Sequence, residues 1–176
     1  MSETRKKSET MSFRIETEVL DRLRQEAENQ GVSLNVLANK IFLQYAIWGV
    51  FEPKVGMIPV AKPIVSALFA KLNENETIDL ANKIGKNVVS DIARFMKGTI
   101  DMESFVSWFE TRMKMSAFEM NHTVKSQEHT YVIKHDLGYN WSLYHKTVLE
   151  LIFLETLERT VKIDINENMI NIVFSF

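Results

Sequence analysis

The sequence predicts an α+β protein built from two units, and three observations lead to that prediction. A short alternation of apolar and polar residues precedes two helical patterns within residues 10–48. A connector at residues 49–63 then holds all three prolines of the chain. Residues 64–176 begin with helical patterns and continue with paired β-rich segments. This last region is predicted to be a mainly helical α+β domain with a four-stranded antiparallel sheet.

Composition sets limits on the class of protein. The chain has 176 residues, of which 45% are hydrophobic, enough for a packed core in one medium domain or two small ones. It contains no cysteine, so disulfides, thiolate catalysis and thiolate zinc sites are excluded. We find no apolar run long enough to span a membrane and no secretory signal, and we expect a cytoplasmic protein. The net charge is −2, and residues 1–48 are neutral with seven basic and seven acidic residues.

The N-terminal unit begins with a predicted half-buried strand. In the stretch TMSFRIE, every second residue is apolar, namely Met11, Phe13 and Ile15. A ragged amphipathic helix over residues 11–30 is the alternative for this stretch. A helix is predicted from Thr17, as N-cap, to Gly31, and Ser33 is the predicted N-cap of a second helix. A single strand needs a partner, and no second strand follows within this unit.

The order of strand, helix, Gly-x-Ser turn and helix resembles the ribbon-helix-helix family of DNA-binding proteins, the Arc and MetJ type. The resemblance rests on MSFRIETEVLDRLRQEAENQGVSLNVLANKIF and covers residues 10–48. It implies a homodimer in which the two strands pair antiparallel and lie in the major groove of DNA. It also implies that helices of both subunits form one shared core, and we expect this dimer core to include Phe13, Ile15, Leu37 and Ile41.

The resemblance implies a set of DNA-contacting residues. Alternation places Thr10, Ser12 and Arg14 on the face opposite the core, where the family has its base-reading side chains. Arg14 is the strongest of them, because a guanidinium can donate two hydrogen bonds to guanine. Backbone N–H groups at the start of the second helix are expected to hold a phosphate, and a flexible basic arm at residues 1–9 would follow the DNA backbone. The expected phosphate contacts are Lys6, Lys7, Ser33, Leu34 and Asn35. Ser33 as a simple cap, and the two lysines as a solubilising tail, are the alternatives.

The C-terminal unit, residues 64–176, resembles no family that we recognise. Its patterns predict helices at residues 64–72, 77–97 and 101–115, a hairpin, a long helix at residues 141–159 and a final hairpin. In the helix at residues 77–97 we expect one apolar face, formed by Ile78, Ala81, Ile84, Val88, Ile92 and Phe95. The apolar stretches FVSWF and LYHKTVLELIF are the predicted surfaces for a ligand or for another dimer.

No catalytic motif is present, and we expect neither enzyme activity nor a cofactor. The four histidines lie within residues 122–145, and His122 and His135 are weak candidates for metal ligands. Core or surface histidines are the simpler interpretation. Nickel-responsive members of the family use a cysteine ligand, which this chain does not have.

We therefore expect a sequence-specific regulator of transcription that binds double-stranded DNA as a homodimer. Residues 64–176 would sense a small-molecule effector or join dimers into a higher oligomer on DNA. One alternative is an antitoxin-type protein whose C-terminal part binds a protein partner. Another is a dimerisation module that does not bind DNA.

Overall fold

The computed structural model describes residues 9–116 and 118–176. The chain divides into two compact units, Met1–Gly49 and Val50–Phe176, which we call unit 1 and unit 2. No helix within the described residues has the length and apolar character that crossing a bilayer requires.

Unit 1 contains the two predicted helices, α1 at Thr17–Asn29 and α2 at Leu34–Gln44, and ends in a π-helical turn at Tyr45–Gly49. The turn between the helices forms as expected. Gly31 has a φ of +64°, its N–H donates to the Glu28 carbonyl, and the Val32 N–H donates to the Ala27 carbonyl. These two bonds are a Schellman motif, which favours glycine because of the positive φ. Thr17 is not the N-cap of α1: Glu16 holds that position and makes no side-chain cap bond.

Unit 2 is α+β, as predicted. After a 3₁₀ turn at Glu52–Lys54, its elements are α3 (Lys62–Phe69), α4 (Glu74–Leu80), a π-helical turn (Ala81–Gly85), α5 (Lys86–Lys97), α6 (Met102–Met115), β1 (Glu119–Lys125), β2 (Glu128–Lys134), α7 (Tyr139–Glu155), β3 (Lys162–Ile165) and β4 (Met169–Ser175). The predicted connector at residues 49–63 thus contains the 3₁₀ turn and the start of α3. The long helix begins two residues before the predicted start and ends four residues before the predicted end.

The four strands form one antiparallel sheet in the order β1-β2-β4-β3. Alternate residues of β2 and β4 are buried, as expected for a sheet covered on one face. Ring contacts show which elements cover it: Phe109 of α6 lies against Tyr131, and Phe153 of α7 lies against Phe174. Since Tyr131 and Phe174 share a face, both helices lie on the same side of the sheet.

The predicted binding surfaces in α6 and α7 are wrong, because these stretches form the core of unit 2. Most of their apolar side chains are at most 9% exposed, whereas Leu143, Tyr144 and Leu151 are partly exposed. The buried ones are Phe105, Val106, Trp108, Phe109, Val148, Leu149, Ile152 and Phe153. Sequence periodicity shows that a helix has an apolar face, but it does not show whether another element of the same chain covers that face.

The apolar face predicted for residues 77–97 also lies differently. The backbone stays helical from α4 through the π-helical turn into α5, and we call this element the α4–α5 rod. Its inward side consists mainly of small residues, with Thr77, Ala81, Gly85, Val89, Ser90 and Ala93 buried. Ile84, Val88 and Phe95 are 54%, 46% and 54% exposed. Small side chains let the rod approach α7 closely, and the larger apolar side chains remain outside.

Candidate nucleic-acid interface

Residues 9–16 precede α1 and form neither helix nor strand within the single chain. Thr10, Ser12 and Arg14 are all exposed. Among the described residues, no hydrogen bond or ion pair involves the Arg14 side chain, so its guanidinium donors are available to a ligand. This leaves the three predicted base-reading side chains accessible to solvent.

The apolar positions of the same segment are also exposed. Met11, Phe13 and Ile15 are 73%, 54% and 42% exposed. Phe13 makes a ring contact with α2, with its ring centroid 5.2 Å from that of Phe42. The contact holds residue 13 beside α2, while the apolar side of the segment is largely uncovered within one chain.

The start of α2 has the geometry expected of a phosphate site. Ser33 is its N-cap, and the Ser33 hydroxyl oxygen accepts a hydrogen bond from the Val36 N–H at 3.3 Å. The predicted cap is thereby confirmed. The cap bond leaves the N–H groups of Leu34 and Asn35 without a partner inside the helix. These groups point out of the helix N-terminus, where the helix dipole favours an anion. Of the other expected phosphate contacts, Lys6 and Lys7 lie outside the described residues, as does nearly all of the predicted arm at residues 1–9.

Unit 1 buries little of its apolar surface. Ala27, Leu37 and Trp48 are its buried apolar residues within the described range. Its exposed large apolar residues form a longer set: Met11, Phe13, Ile15, Val19, Val32, Val36, Ile41, Phe42, Leu43, Tyr45 and Ile47. A core of this size is too small to stabilise a segment of about forty residues alone. Of the predicted dimer-core residues, Leu37 is buried already in the single chain, whereas Phe13, Ile15 and Ile41 remain exposed.

Both arginines of α1 pair with acidic residues of the same helix. Arg22 pairs with Glu18 at 2.7 Å and Arg24 pairs with Asp21 at 3.0 Å, and all four side chains are mostly exposed. Because these two arginines have intrahelical partners and Arg14 has none among the described residues, Arg14 is the arginine most available to a ligand in the part of unit 1 that the structure describes.

Two histidines of unit 2, His122 and His129, contact each other. His122 Nε2 lies 3.0 Å from His129 Nδ1, and His122 Nδ1 lies 3.5 Å from a Glu110 carboxylate oxygen. That oxygen also accepts a 2.7 Å hydrogen bond from the Tyr131 hydroxyl. Burial raises the pKa of Tyr131, and its bond to Glu110 adds to the increase. Burial also lowers the pKa of His129, helped by the neighbouring His122. Both His122 nitrogens thus have protein partners, and this arrangement leaves neither of them directed at an open metal position.

His135, the other weak metal candidate, lies in a different network. The Leu137 N–H donates to His135 Nδ1 at 3.2 Å, so the ring proton of neutral His135 is on Nε2. Nε2 then donates to the Ser142 hydroxyl at 2.7 Å, and that hydroxyl donates to the Asn166 carbonyl at 2.7 Å. In this arrangement His135 is not a base for Ser142, so the pair is not a nucleophile and its activator. Within the described residues, no group of three or more His, Asp or Glu side chains is placed to hold a metal ion.

Sequence reasoning missed one further cluster, between α5, α6 and α7. The Arg112 guanidinium lies 5.4 Å above the Trp108 ring, and His145 Nδ1 donates to the Trp141 carbonyl at 3.0 Å. Burial lowers the pKa of His145 to about 3, and the positive charge of Arg112 adds to the decrease. The cavity beside these residues has a volume of about 10 Å³, room for one water molecule and not for an organic ligand. The sequence signal was weak, because one arginine within an aromatic helix face has no characteristic spacing.

Comparison with known proteins adds no assignment: no protein-family model matches the chain, and no curated protein matches it significantly.

Proposed function

We propose that this protein is a sequence-specific DNA-binding regulator that acts as a homodimer through unit 1. The observation that carries the proposal is the exposed apolar side of unit 1, with Phe13, Ile15 and Ile41 uncovered beside a core of three buried apolar residues. A second copy supplies the missing surface. Strand pairing between two copies of residues 10–16 would also satisfy backbone groups of a segment that forms no strand within the described part of one chain.

DNA recognition follows from the opposite side of the same segment. If Phe13 and Ile15 turn toward the partner subunit, alternation turns Thr10, Ser12 and Arg14 toward the DNA. Arg14 reads a guanine through two hydrogen bonds, and the two hydroxyl groups contact neighbouring base edges. The N–H groups of Leu34 and Asn35 bind the phosphates that flank the groove and fix the orientation of the ribbon.

The experiment is selection of binding sites from random double-stranded DNA with the full-length protein, followed by titration of the selected site. Arg14→Ala is expected to lower affinity by about 1–3 kcal/mol per subunit, because it removes a bidentate base contact. Arg24→Ala is the matched control, since Arg24 is exposed on α1 and pairs only with Asp21. Salt concentration must be fixed, because phosphate contacts depend strongly on it. No enriched sequence, or equal affinities for R14A and R24A, would contradict the proposal.

The antitoxin-type alternative has less support. It requires a C-terminal part that exists to bind a protein partner, and such segments are often unfolded when free. Unit 2 instead buries a core of its own, with residues such as Trp108, Tyr131 and Ile152 at most 1% exposed. Sensing through a ligand held between α6 and the sheet is also poorly supported, because the cavity there has a volume of about 10 Å³.

A further inference from the structure

The outward side of the α4–α5 rod carries an exposed apolar stripe. Ile84, Val88 and Phe95 follow one another at intervals of four and seven residues, which places them on one side of the helix. Leu80, one turn before Ile84, is partly exposed and extends the stripe toward α4. Phe95 touches Phe51 edge to face, at 6.3 Å between ring centroids, and is still 54% exposed. The stripe runs along a rod of about 36 Å.

Two ion pairs lie along one edge of this stripe. Near its start, Lys83 pairs with Asp79 at 2.7 Å, and near its end, Arg94 pairs with Asp91 at 3.8 Å. All four side chains are more than half exposed. Read from the N-terminus, the edge is therefore acid, base, acid, base. When such an edge is placed antiparallel to a copy of itself, every acid faces a base.

We propose that the α4–α5 rod binds the same rod of a second copy of this chain, in an antiparallel arrangement about a two-fold axis near Asn87. In this register Asp79 faces Arg94 of the second copy and Lys83 faces Asp91 of the second copy. The same register places Ile84 beside Val88 of the second copy and Leu80 beside Phe95 of the second copy. One rotation thus matches the charges and the apolar residues together, as an isologous interface requires.

The charge order also selects the second copy over an unrelated partner. In a parallel pairing the two-fold axis runs along the helices, so this edge and its copy would lie on opposite sides of the interface and their charges would not meet. A second copy necessarily presents these charges in the reversed order when it is antiparallel, whereas an unrelated helix does not. The interface uses residues of unit 2 alone, so it goes beyond the proposed DNA binding and does not depend on it.

The test uses the full-length chain without DNA. The natural sequence has no cysteine, so Asn87→Cys provides a single attachment point for a pyrene label close to the proposed axis. Two pyrenes that meet across the axis give excimer emission. The same label at Leu68→Cys is the control, since Leu68 is an exposed apolar residue of α3 and not part of the rod. We expect excimer emission from the label at position 87 and none from the label at position 68.

Variants then test the contacts in the N87C-labelled chain. Val88→Glu and Phe95→Glu each place a charge in the apolar stripe and are expected to weaken association by roughly tenfold or more. Leu68→Glu adds the same charge at a side chain that is 58% exposed and should change nothing. Each substituted residue is exposed, and unchanged circular dichroism will verify the fold. Arg14→Ala, which tests DNA binding, should leave the excimer intact, so failure of one proposal is distinguishable from failure of the other.

Charge reversal gives an independent readout. Asp79→Lys and Arg94→Glu each put like charges opposite one another in the antiparallel register and should weaken the excimer signal. The double variant D79K/R94E restores opposite charges between the two copies and should recover the signal. Absence of an excimer at position 87, equal loss in L68E, or a double variant weaker than both single variants would overturn the proposal.

Discussion

Gly85 approaches Tyr144 so closely that a β carbon at position 85 would lie 2.6 Å from the Tyr144 hydroxyl oxygen. The same atom would lie 2.6 Å from a methyl carbon of Val148. Both neighbours belong to α7, and Lys86, the next residue of the rod, pairs with Glu155 at the end of that helix. This contact fixes the rotation of the α4–α5 rod, and through it the outward direction of Ile84 and Val88.

Gly85→Ala is therefore expected to destabilise unit 2, by about 1–3 kcal/mol, because the added methyl group overpacks the contact with α7. Thermal and urea unfolding of the full chain measure the change. Asn87→Ala, at an exposed position of the same helix, is the control and should be neutral or slightly stabilising through helix propensity. A G85A chain as stable as the wild type would show that the rod can move away from α7.

The stability of unit 2 should fall in acid through His145. The pKa of His145 is about 3 in the folded chain and 6.5 when it is free. Since the folded pKa is the lower one, the unfolded chain binds the proton first. Stability is then complete above about pH 6.5 and is lost as the pH falls toward about 3, with a limiting slope of about 1.4 kcal/mol per pH unit. His129 and His135 act in the same direction, because burial lowers the pKa of each.

His145→Gln should reduce this slope, as measured by urea unfolding at a series of pH values. Carboxylates that titrate in the same pH range contribute equally to the slopes of variant and wild type, so their contribution cancels in the comparison. Equal slopes would contradict the prediction, because protonation of His145 would then not lower the free energy of unfolding.

Ile41→Glu should prevent dimerisation through unit 1, because it places a charge in the proposed shared core while Ile41 is 41% exposed in the single chain. Sedimentation of the full-length protein in a Phe95→Glu background, which weakens the proposed association of unit 2, measures the mass. We expect two copies for F95E and one for F95E/I41E. Leu37→Asp is a poorer test, because Leu37 is 4% exposed in one chain and its substitution disrupts the helix pair directly. A monomeric F95E chain would contradict the dimer proposal.

Ser142→Ala should destabilise unit 2 by about 1–3 kcal/mol, since it leaves the His135 Nε2–H and the Asn166 carbonyl without their shared partner. Thr111→Ala, which removes a hydroxyl bonded to a carbonyl on the surface of α6, is the control. The wild-type chain should not react with a serine-directed phosphonylating probe, because the Ser142 hydroxyl proton is held by the Asn166 carbonyl. Labelling at Ser142 would overturn this structural role.

Local chemistry made several elements predictable. Gly31 and Ser33 end one helix and begin the next through their own backbone geometry and hydroxyl group, without help from distant residues. Alternation in β2 and β4 predicted the hairpins and the sheet, because a sheet with one covered face requires it. The strand expected at residues 10–16 is not formed within the chain, and it stays a prediction, since its proposed partner is another molecule.

The sequence by itself determined where most helices and strands lie, because caps, turns and hydrophobic periods act over a few residues. Only the tertiary structure decided which apolar faces are covered. Phe105 and Phe153, predicted to form a surface, lie in the core, whereas Val88 and Phe95 lie outside. The physical reason is the close contact of Gly85 with α7, a relation between residues about sixty positions apart. The period of a helix does not contain that information. The small residues on the opposite side of the rod are the buried ones, because they allow the rod to pack closer to α7.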